Sequence, residues 1–419
     1  MNVCNLDKVL PVLGFQSDYL VSNNLDMSFG LRLELPELLS CSGEKLYMMH
    51  DTFVRAVSLL PSGTLLHKQD FFLMNRFSGK GKTDSRKDSL TASYLEHFGG
   101  RPFLKHECYL YVSMLNTGLL KNYLGSSLIC SGKVRKEEKQ LGEKLGELRT
   151  NLLALFRQSG IVCVPVCRGE IVGNEQSPGL IERYLTLNFQ HGKPVLGGID
   201  FRDRLRVMEH FVEILSLSDY SHLPPDLKPV TEHPHNKLPV SFVYPVTWNL
   251  PFSHITNQFI WVPPQQETKA FLESSYKKIY SLSRFSSENK INAGLIESFL
   301  NTVQTTGEKI VKAHFNVMLF DESISRLKQL KGETSSAYSL MNCFAYQHSY
   351  DLPLLFFACV PLSTQLPESE LFITQVPQAC CLTNFEGPIR DSDSDFIIRL
   401  SNRQEGCPVR IDISDEPME

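Results

Sequence analysis

No apolar stretch in this sequence reaches the roughly 20 residues needed to cross a bilayer as a helix. The longest, Leu352-Pro-Leu-Leu-Phe-Phe-Ala-Cys-Val-Pro-Leu362, is shorter and carries two prolines; it is expected to be a buried strand. Met1 to Leu13 lacks the charged start and long apolar core of a secretory signal. An excess of either charge is also missing, with 42 Lys and Arg against 46 Asp and Glu and a formal charge of -4. A nucleic-acid binder usually shows a basic patch or stripe, so the overall balance does not support direct nucleic-acid binding. Internal repeats and long low-complexity tracts are absent.

The common catalytic signatures are missing too. G-x-S-x-G, H-E-x-x-H and G-x-G-x-x-G do not occur, so no nucleophile elbow, zinc-protease helix or dinucleotide loop announces itself. The nearest approach to a phosphate-binding loop is Ser78-Gly-Lys-Gly-Lys-Thr-Asp-Ser85. Such a loop needs a glycine five positions before Gly81, and Arg76 stands there instead. Gly79 to Thr83 is therefore read as part of a polar surface loop running from Phe77 to Ser89. Asp391, Asp393 and Asp395 open like a calcium loop, but Phe396 and Asn402 replace its glycine and closing glutamate.

What is present describes an ordinary globular chain. With 419 residues, 42% hydrophobic and 21% charged, it can build two or three cores without staples. Its 11 cysteines are scattered through a chain far larger than disulfide scaffolds, the pattern of buried thiols in a reducing compartment. Cys163-x-x-x-Cys167 and Cys380-Cys381 are the close sets, and both are expected to pack in cores.

Periodicity gives an α+β reading: two mixed α/β subdomains with largely antiparallel sheets flanked by helices. Met27, Phe29, Leu31, Leu33 and Leu35 alternate as in a half-buried strand. Leu46, Met49, Phe53, Val54 and Val57 have helical spacing, ended by Pro61 and Gly63, and Thr64 starts a further strand. Cys108, Leu110, Val112 and Met114 alternate again. Leu141, Leu145, Leu148, Leu152 and Leu155 form a heptad-like seam too short for a coiled coil, so a core-facing helix is expected. Ile161 to Val166 reads as a strand, and Ser177-Pro178 as a helix N-cap followed by proline at the first helical position. Residues 216–239 hold five prolines and read as a linker or long loop. The expected division is 1–215, linker 216–239, and 240–419. In the last part Leu295 to Val303 predicts a helix closed near Gly307, Val311 to Leu319 a strand, and Ile324 to Leu330 another helix.

Few residues suggest chemistry. His222, His233 and His235 could gather a metal, but a proline-rich loop preorganises them poorly and no cysteine completes a set. His106-Glu-Cys108 has the residue types of a thiol site, although in a strand Glu107 points away from its two neighbours. A nucleotide- or metal-dependent hydrolase using the Gly79–Thr83 loop or the three histidines is the alternative reading of this chain.

Several segments, in order along the chain, resemble the TraG family of conjugative-transposon ATPases. They are Val9-Leu-Pro-Val-Leu-Gly14, His67-Lys-Gln-Asp70, Arg101-Pro-Phe-Leu104 with Cys108-Tyr-Leu110, Ser281-Leu-Ser-Arg-Phe-Ser286, Asn289-Lys-Ile-Asn292, Ala313-His-Phe-Asn-Val-Met318 and Ile411-Asp-Ile-Ser-Asp415. The resemblance implies the N-terminal docking and oligomerisation region of a type IV secretion motor. Its implied place is cytoplasmic, held peripherally at the inner membrane through partner proteins. The implied partners are inner-membrane components of the conjugation apparatus and other motor subunits. ATP and Mg belong to the family's motor domain, whose phosphate-binding loop follows the stretch matching Asp412 to Met418. This chain is expected to hold no cofactor and to perform no catalysis. Arg284, Asn289 and Asn292, between two expected helices, are candidates for helix capping or subunit contact. His314 and Asn316, on the strand face opposite Phe315 and Val317, are candidates for an interface or a wet sheet face.

Overall fold

The computed structural model describes residues 12–16, 18–22, 24–38, 40–77, 93, 96–115, 132–174, 177–189, 198–233, 236–389, 397–401 and 408–412. In chain order, β1 (Val12–Gln16), β2 (Tyr19–Ser22) and β3 (Met27–Glu34) form a meander. Helix α1 (Gly43–Leu59) follows, its Ser42 side chain accepting from the Lys45 N–H as an N-cap does. Two 13-residue strands come next, β4 (Thr64–Arg76) and β5 (Pro102–Met114). After α2 (Gly132–Gln158) and β6 (Val162–Pro165), a compact unit contains α3 (Arg168–Val172), β7 (Gly173–Asn174), β8 (Ser177–Pro178) and α4 (Leu180–Thr186). Short β9 (Ile199–Asp200) and β10 (Arg206–Val207) lead to β11 (His210–Leu217), then to the hairpin β12 (Val230–Glu232) and β13 (Pro239–Ser241).

The remaining chain begins with β14 (His254–Val262), a helical hairpin of α5 (Gln265–Leu282) and α6 (Ser287–Thr306), and β15 (Ile310–Asp321). Then come α7 (Ile324–Leu340), β16 (Tyr346–Gln347), α8 (Leu352–Ala358), β17 (Phe372–Gln375), α9 (Val376–Cys381) and the pair β18 (Ile397–Ser401) and β19 (Pro408–Asp412). The chain is thus α+β, with antiparallel pairing between all of these neighbouring strands.

One sheet organises the described residues. Its order is β1-β2-β3-β5-β4-β14-β15-β11-β10-β9, with β6 added beside β3, β17 beside β15 and β16 beside β11. On one face α1, α2, α7 and α9 pack Phe53, Leu152, Leu327 and Ala379 over Leu31, Leu110 and Val317. On the other, α4 and α8 bring Tyr184, Leu355 and Phe356 against Tyr111, Phe259 and Met318. The central strands are therefore covered on both faces, and β14 and β15 are buried almost end to end. Apolar burial at about 25 cal/mol per Å² is the main drive for this arrangement.

The division at 216–239 is corrected by this topology. Strand β4 pairs with β14 over nine residues, Thr64 to Phe72 with Val262 to His254, and β11 pairs with β15. Both pairs join residues on opposite sides of the proline-rich stretch. That stretch is not a bare linker either, since it ends β11 and contains β12. Leu352 to Ala358 is a helix rather than a strand, with proline at its first turn, where its missing N–H costs nothing. Ser177-Pro178 pairs with Gly173–Asn174, and the helix starts only after Gly179. The expected strands at 27–35 and 311–319 and the helices at 46–57, 141–155 and 295–307 are all present.

Because β4 and β14 lie side by side, fragments 1–225 and 226–419 produced separately should each lack a cooperative melting transition in scanning calorimetry. Two independent transitions resembling those of the whole chain would contradict a shared sheet.

Candidate functional site

Four adjacent strands carry a continuous hydrogen-bonded row inside the protein. Asn257 of β14 lies opposite Gln69 of β4 and Asn316 of β15, so all three project from one face. Asn257 Nδ2 donates to Asn316 Oδ1 at 2.9 Å, while Asn257 Oδ1 accepts from Gln69 Nε2 at 2.8 Å and His67 Nε2 at 3.0 Å. Asn316 Nδ2 donates to His314 Nε2 at 2.9 Å, and His314 Nδ1 donates to the Glu370 carbonyl at 2.8 Å. At the other end the Tyr111 hydroxyl donates to Gln69 Oε1, and Gln69 Nε2 also reaches the Cys359 carbonyl on the α8 side. Gln69, Asn257, His314 and Asn316 have 0% exposure.

One proton arrangement satisfies this row: both histidines neutral, His314 protonated on Nδ1 and His67 on Nε2. A second proton on His314 would aim Nε2–H at the Asn316 N–H. Burial pushes His67 down to about 3, despite its bond to Asn257, and His314 down to about 4, despite its bond to Glu370. The row has the character of a register pin. A one-residue slip would turn each of these side chains to the opposite face and leave its partners unpaired.

The opposite face holds buried charge. Lys68 Nζ donates to Asp70 Oδ2, and His106 Nε2 lies 2.8 Å from Asp70 Oδ1. Burial would raise the Asp70 carboxyl, but Lys68 and His106 outweigh it and hold it well below the usual carboxylate range. Burial would likewise lower Lys68, and Asp70 outweighs it in the raising direction. Such a pair contributes little net stability when intact, yet losing one partner strands a charge in the interior. The Cys108 thiol beside it is pushed well up by burial, which removes the thiolate that nucleophilic chemistry needs. Nearby, Glu386 is buried and accepts from the Ser241 N–H at 2.5 Å and the Ser241 hydroxyl at 2.6 Å.

An open cleft of about 680 Å³ lies at the end of β3 and β5, under α3 and α4. Its wall depends on Gly173 and Gly179. A Cβ on Gly173, whose φ is +81°, would sit 2.2 Å from the Gly179 nitrogen. Within the cleft Glu107 receives Lys105 Nζ at 2.7 Å and Arg183 Nη2 at 2.9 Å, and Arg32 meets Glu170 at 3.4 Å. Burial would raise Glu107, but Arg183 and Lys105 prevail and hold it at about 2. These cations are engaged by carboxylates, and the neighbouring Tyr109 hydroxyl is pushed up by burial. Apolar side chains such as Leu33, Leu35 and Leu180 share its lining with these charged pairs.

One further constellation has the hydrogen-bond order of a serine-hydrolase triad. Ser216 Oγ is 2.5 Å from His348 Nε2, and His348 Nδ1 is 2.6 Å from Asp351 Oδ2. Ser216, however, has 0% exposure and is paired in β11 with both Asn316 and Tyr346. A nucleophile needs its oxygen within reach of a substrate carbonyl. This serine has none.

The candidates from sequence are placed as follows. His314 and Asn316 lie in the buried row, neither at an interface nor on a wet face, because α8 and the Glu368–Leu371 turn cover that side. Around the turn joining α5 and α6, Arg284 is exposed and Asn289 and Asn292 are half-buried. The α6 cap is made by Ser286, whose side chain accepts from the Asn289 N–H, not by the side chains of Arg284, Asn289 or Asn292. His233 is buried against the Tyr244 hydroxyl at 3.1 Å, and His222 is half-buried. His235 and the Gly79–Thr83 loop lie outside the described residues, as does the acidic run from Asp391 to Asp395. Cys380 and Cys381 are buried as expected, Cys163 is half-buried, and Cys167 is exposed beside the start of α3. The expectation missed the polar row itself. Its signal was His67-Lys-Gln-Asp70, four polar residues in succession inside an otherwise apolar strand.

No protein-family model matches this chain, and no curated protein is significantly similar to it.

Two outcomes follow from the buried row. Asn257→Ala removes partners from Gln69, His67 and Asn316 together and should destabilise the protein by at least about 3 kcal/mol in urea unfolding. His67, His254 and His314 drive stability down on the acid side, and the buried Glu386, raised by burial, partly opposes them. Burial lowers all three below the ordinary histidine value of 6.5, to about 3, 4 and 4. Between pH 6.5 and 4 the unfolded chain therefore binds more protons than the folded one, so stability falls as pH falls, by up to about 4 kcal/mol per pH unit. Urea melts at pH 7, 6 and 5 should show this slope, reduced by about a third in His314→Asn.

Proposed function

We propose that this chain is the docking and oligomerisation region of a conjugative DNA-transfer ATPase of the TraG type, and that it carries out no catalysis itself. It attaches the motor to inner-membrane components of the channel from the cytoplasmic side. The carrying observation is the α5–α6 hairpin. Its base packs through Leu272 and Leu300 against Ile310, while Phe285 at its turn is 85% exposed. Phe271, Leu282, Ile291 and Leu295 along it are exposed as well. Scattered apolar residues are normal on surfaces, but a run of them on one projecting element favours an interaction site.

Two further features support the reading. Four of the resembling segments fall in two places, His67–Asp70 and Ala313–Met318 on the strands of the register row, and Ser281–Ser286 and Asn289–Asn292 around the hairpin turn. Among the described residues no helix is long and apolar enough to cross a membrane; in the proposed reading, association with the membrane runs through partner proteins. The hydrolase alternative gains nothing from His222 and His233, which do not join in a common ligand cluster among the described residues.

Recovered from detergent-solubilised donor cells carrying the transfer genes, the tagged chain should bring inner-membrane transfer proteins with it. The double variant L282D/F285D should lose at least ten-fold of that recovery while keeping its melting temperature. Equal recovery would remove the hairpin from docking. Mg-ATP should leave the melting temperature unchanged, whereas a ligand held at 100 times its Kd would add about 2.7 kcal/mol; a clear shift would overturn the non-catalytic reading.

A further inference from the structure

Three separate segments converge on His348. Ser216 comes from β11, Asp351 from the start of α8, and Glu370 from the 3-10 turn Glu368–Glu370 that leads into β17. The imidazole side chain is fully buried, and the Glu370 side chain is 15% exposed. Glu370 Oε2 lies 3.8 Å from His348 Nε2, and this oxygen is itself buried without a hydrogen-bond partner. A buried carboxylate oxygen with no donor is costly, and its presence calls for a missing partner. His348, Asp351 and Glu370 each offer a ligand atom, all within 4.8 Å of one another.

We propose that these residues form a divalent metal site that staples α8 and the Glu370 turn to the edge of the sheet. Asp351 accepts the Nδ1–H of His348, which fixes the tautomer and leaves the Nε2 lone pair to bind a cation. This carboxylate–histidine arrangement commonly orients metal-ligating imidazoles. His348 Nε2 and Glu370 Oε2 are the first two ligands. A cation bound at about 2.0–2.1 Å from each requires them to close by only a few tenths of an ångström. The Ser216 hydroxyl, now held at Nε2, turns aside to ligate or to hold a bound water, and the half-exposed Asp351 side gives the ion its path. An imidazole paired with a carboxylate selects a first-row transition ion such as Zn²⁺ over Ca²⁺, which prefers an all-oxygen shell.

The full-length chain, stripped with a chelator and titrated with Zn²⁺ in a calorimeter, tests this site. A 1:1 complex is expected, unaffected by a hundred-fold excess of Ca²⁺. The near-isosteric E370Q should weaken it at least ten-fold and abolish the rise in melting temperature that Zn²⁺ gives the unsubstituted chain. X-ray absorption at the zinc edge should show one imidazole with oxygen ligands. Absence of a 1:1 complex, displacement by Ca²⁺, or Zn²⁺ binding undiminished in E370Q would overturn the proposal. E370Q keeps the shape and the Glu370 main-chain bond to His314, so it separates ligand loss from misfolding.

Discussion

Asn257 sits at the middle of a sheet that is covered on both faces, and its side-chain amide must find its partners inside the protein. It finds them in Gln69, His67 and Asn316. Because a buried unpaired amide costs more than a hydrogen bond returns, only one alignment of β4, β14 and β15 is tolerable. Apolar pairs alone would allow strands so uniformly buried to slip. The polar row therefore supplies specificity, and the apolar layers under α1, α2, α7 and α8 supply most of the stability. Lys68 and Asp70 extend the same logic to the other face, where an ion pair of small net worth becomes a severe penalty if the register is lost.

The regular elements were legible from sequence where one face alone is buried. Helices α1 and α6 show this, the latter closed by Gly307 in the left-handed conformation. Reading failed where burial is two-sided. Leu352 to Leu362 has no periodicity because nearly all of α8 and the turn after it is buried, with Leu354 the exposed leucine, so its length and composition suggested a strand. His314 and Asn316 alternate with Phe315 and Val317 as they would on a wet face. Only the neighbouring strands, more than 50 residues away in the chain, turn that pattern into a buried row. The prolines of 216–239 suggested a domain boundary, whereas the pairing of β11 with β15 makes this stretch an excursion from a single sheet.

Functional groups were harder still, since the features that look chemical are mostly structural. Ser216, His348 and Asp351 reproduce a triad's hydrogen bonds without access, and Cys108 is a thiol held protonated by burial. The accessible features lie at the periphery: the cleft beside α3 and α4, and the α5–α6 hairpin with its exposed apolar side chains. The proposed docking role rests on those apolar projections and not on the closed centre. The proposed metal site fits the same plan, as a staple at the sheet edge rather than a reaction centre.

The most direct measurement is photocrosslinking in donor cells, with a photoreactive amino acid placed at Phe285 and, as a control, at the exposed Tyr350 between β16 and α8. Docking through the hairpin predicts adducts from position 285 to inner-membrane transfer proteins or to a second copy of the chain, and none of these from position 350. Equal labelling from both positions, or no adduct at 285 from a folded and expressed chain, would contradict it.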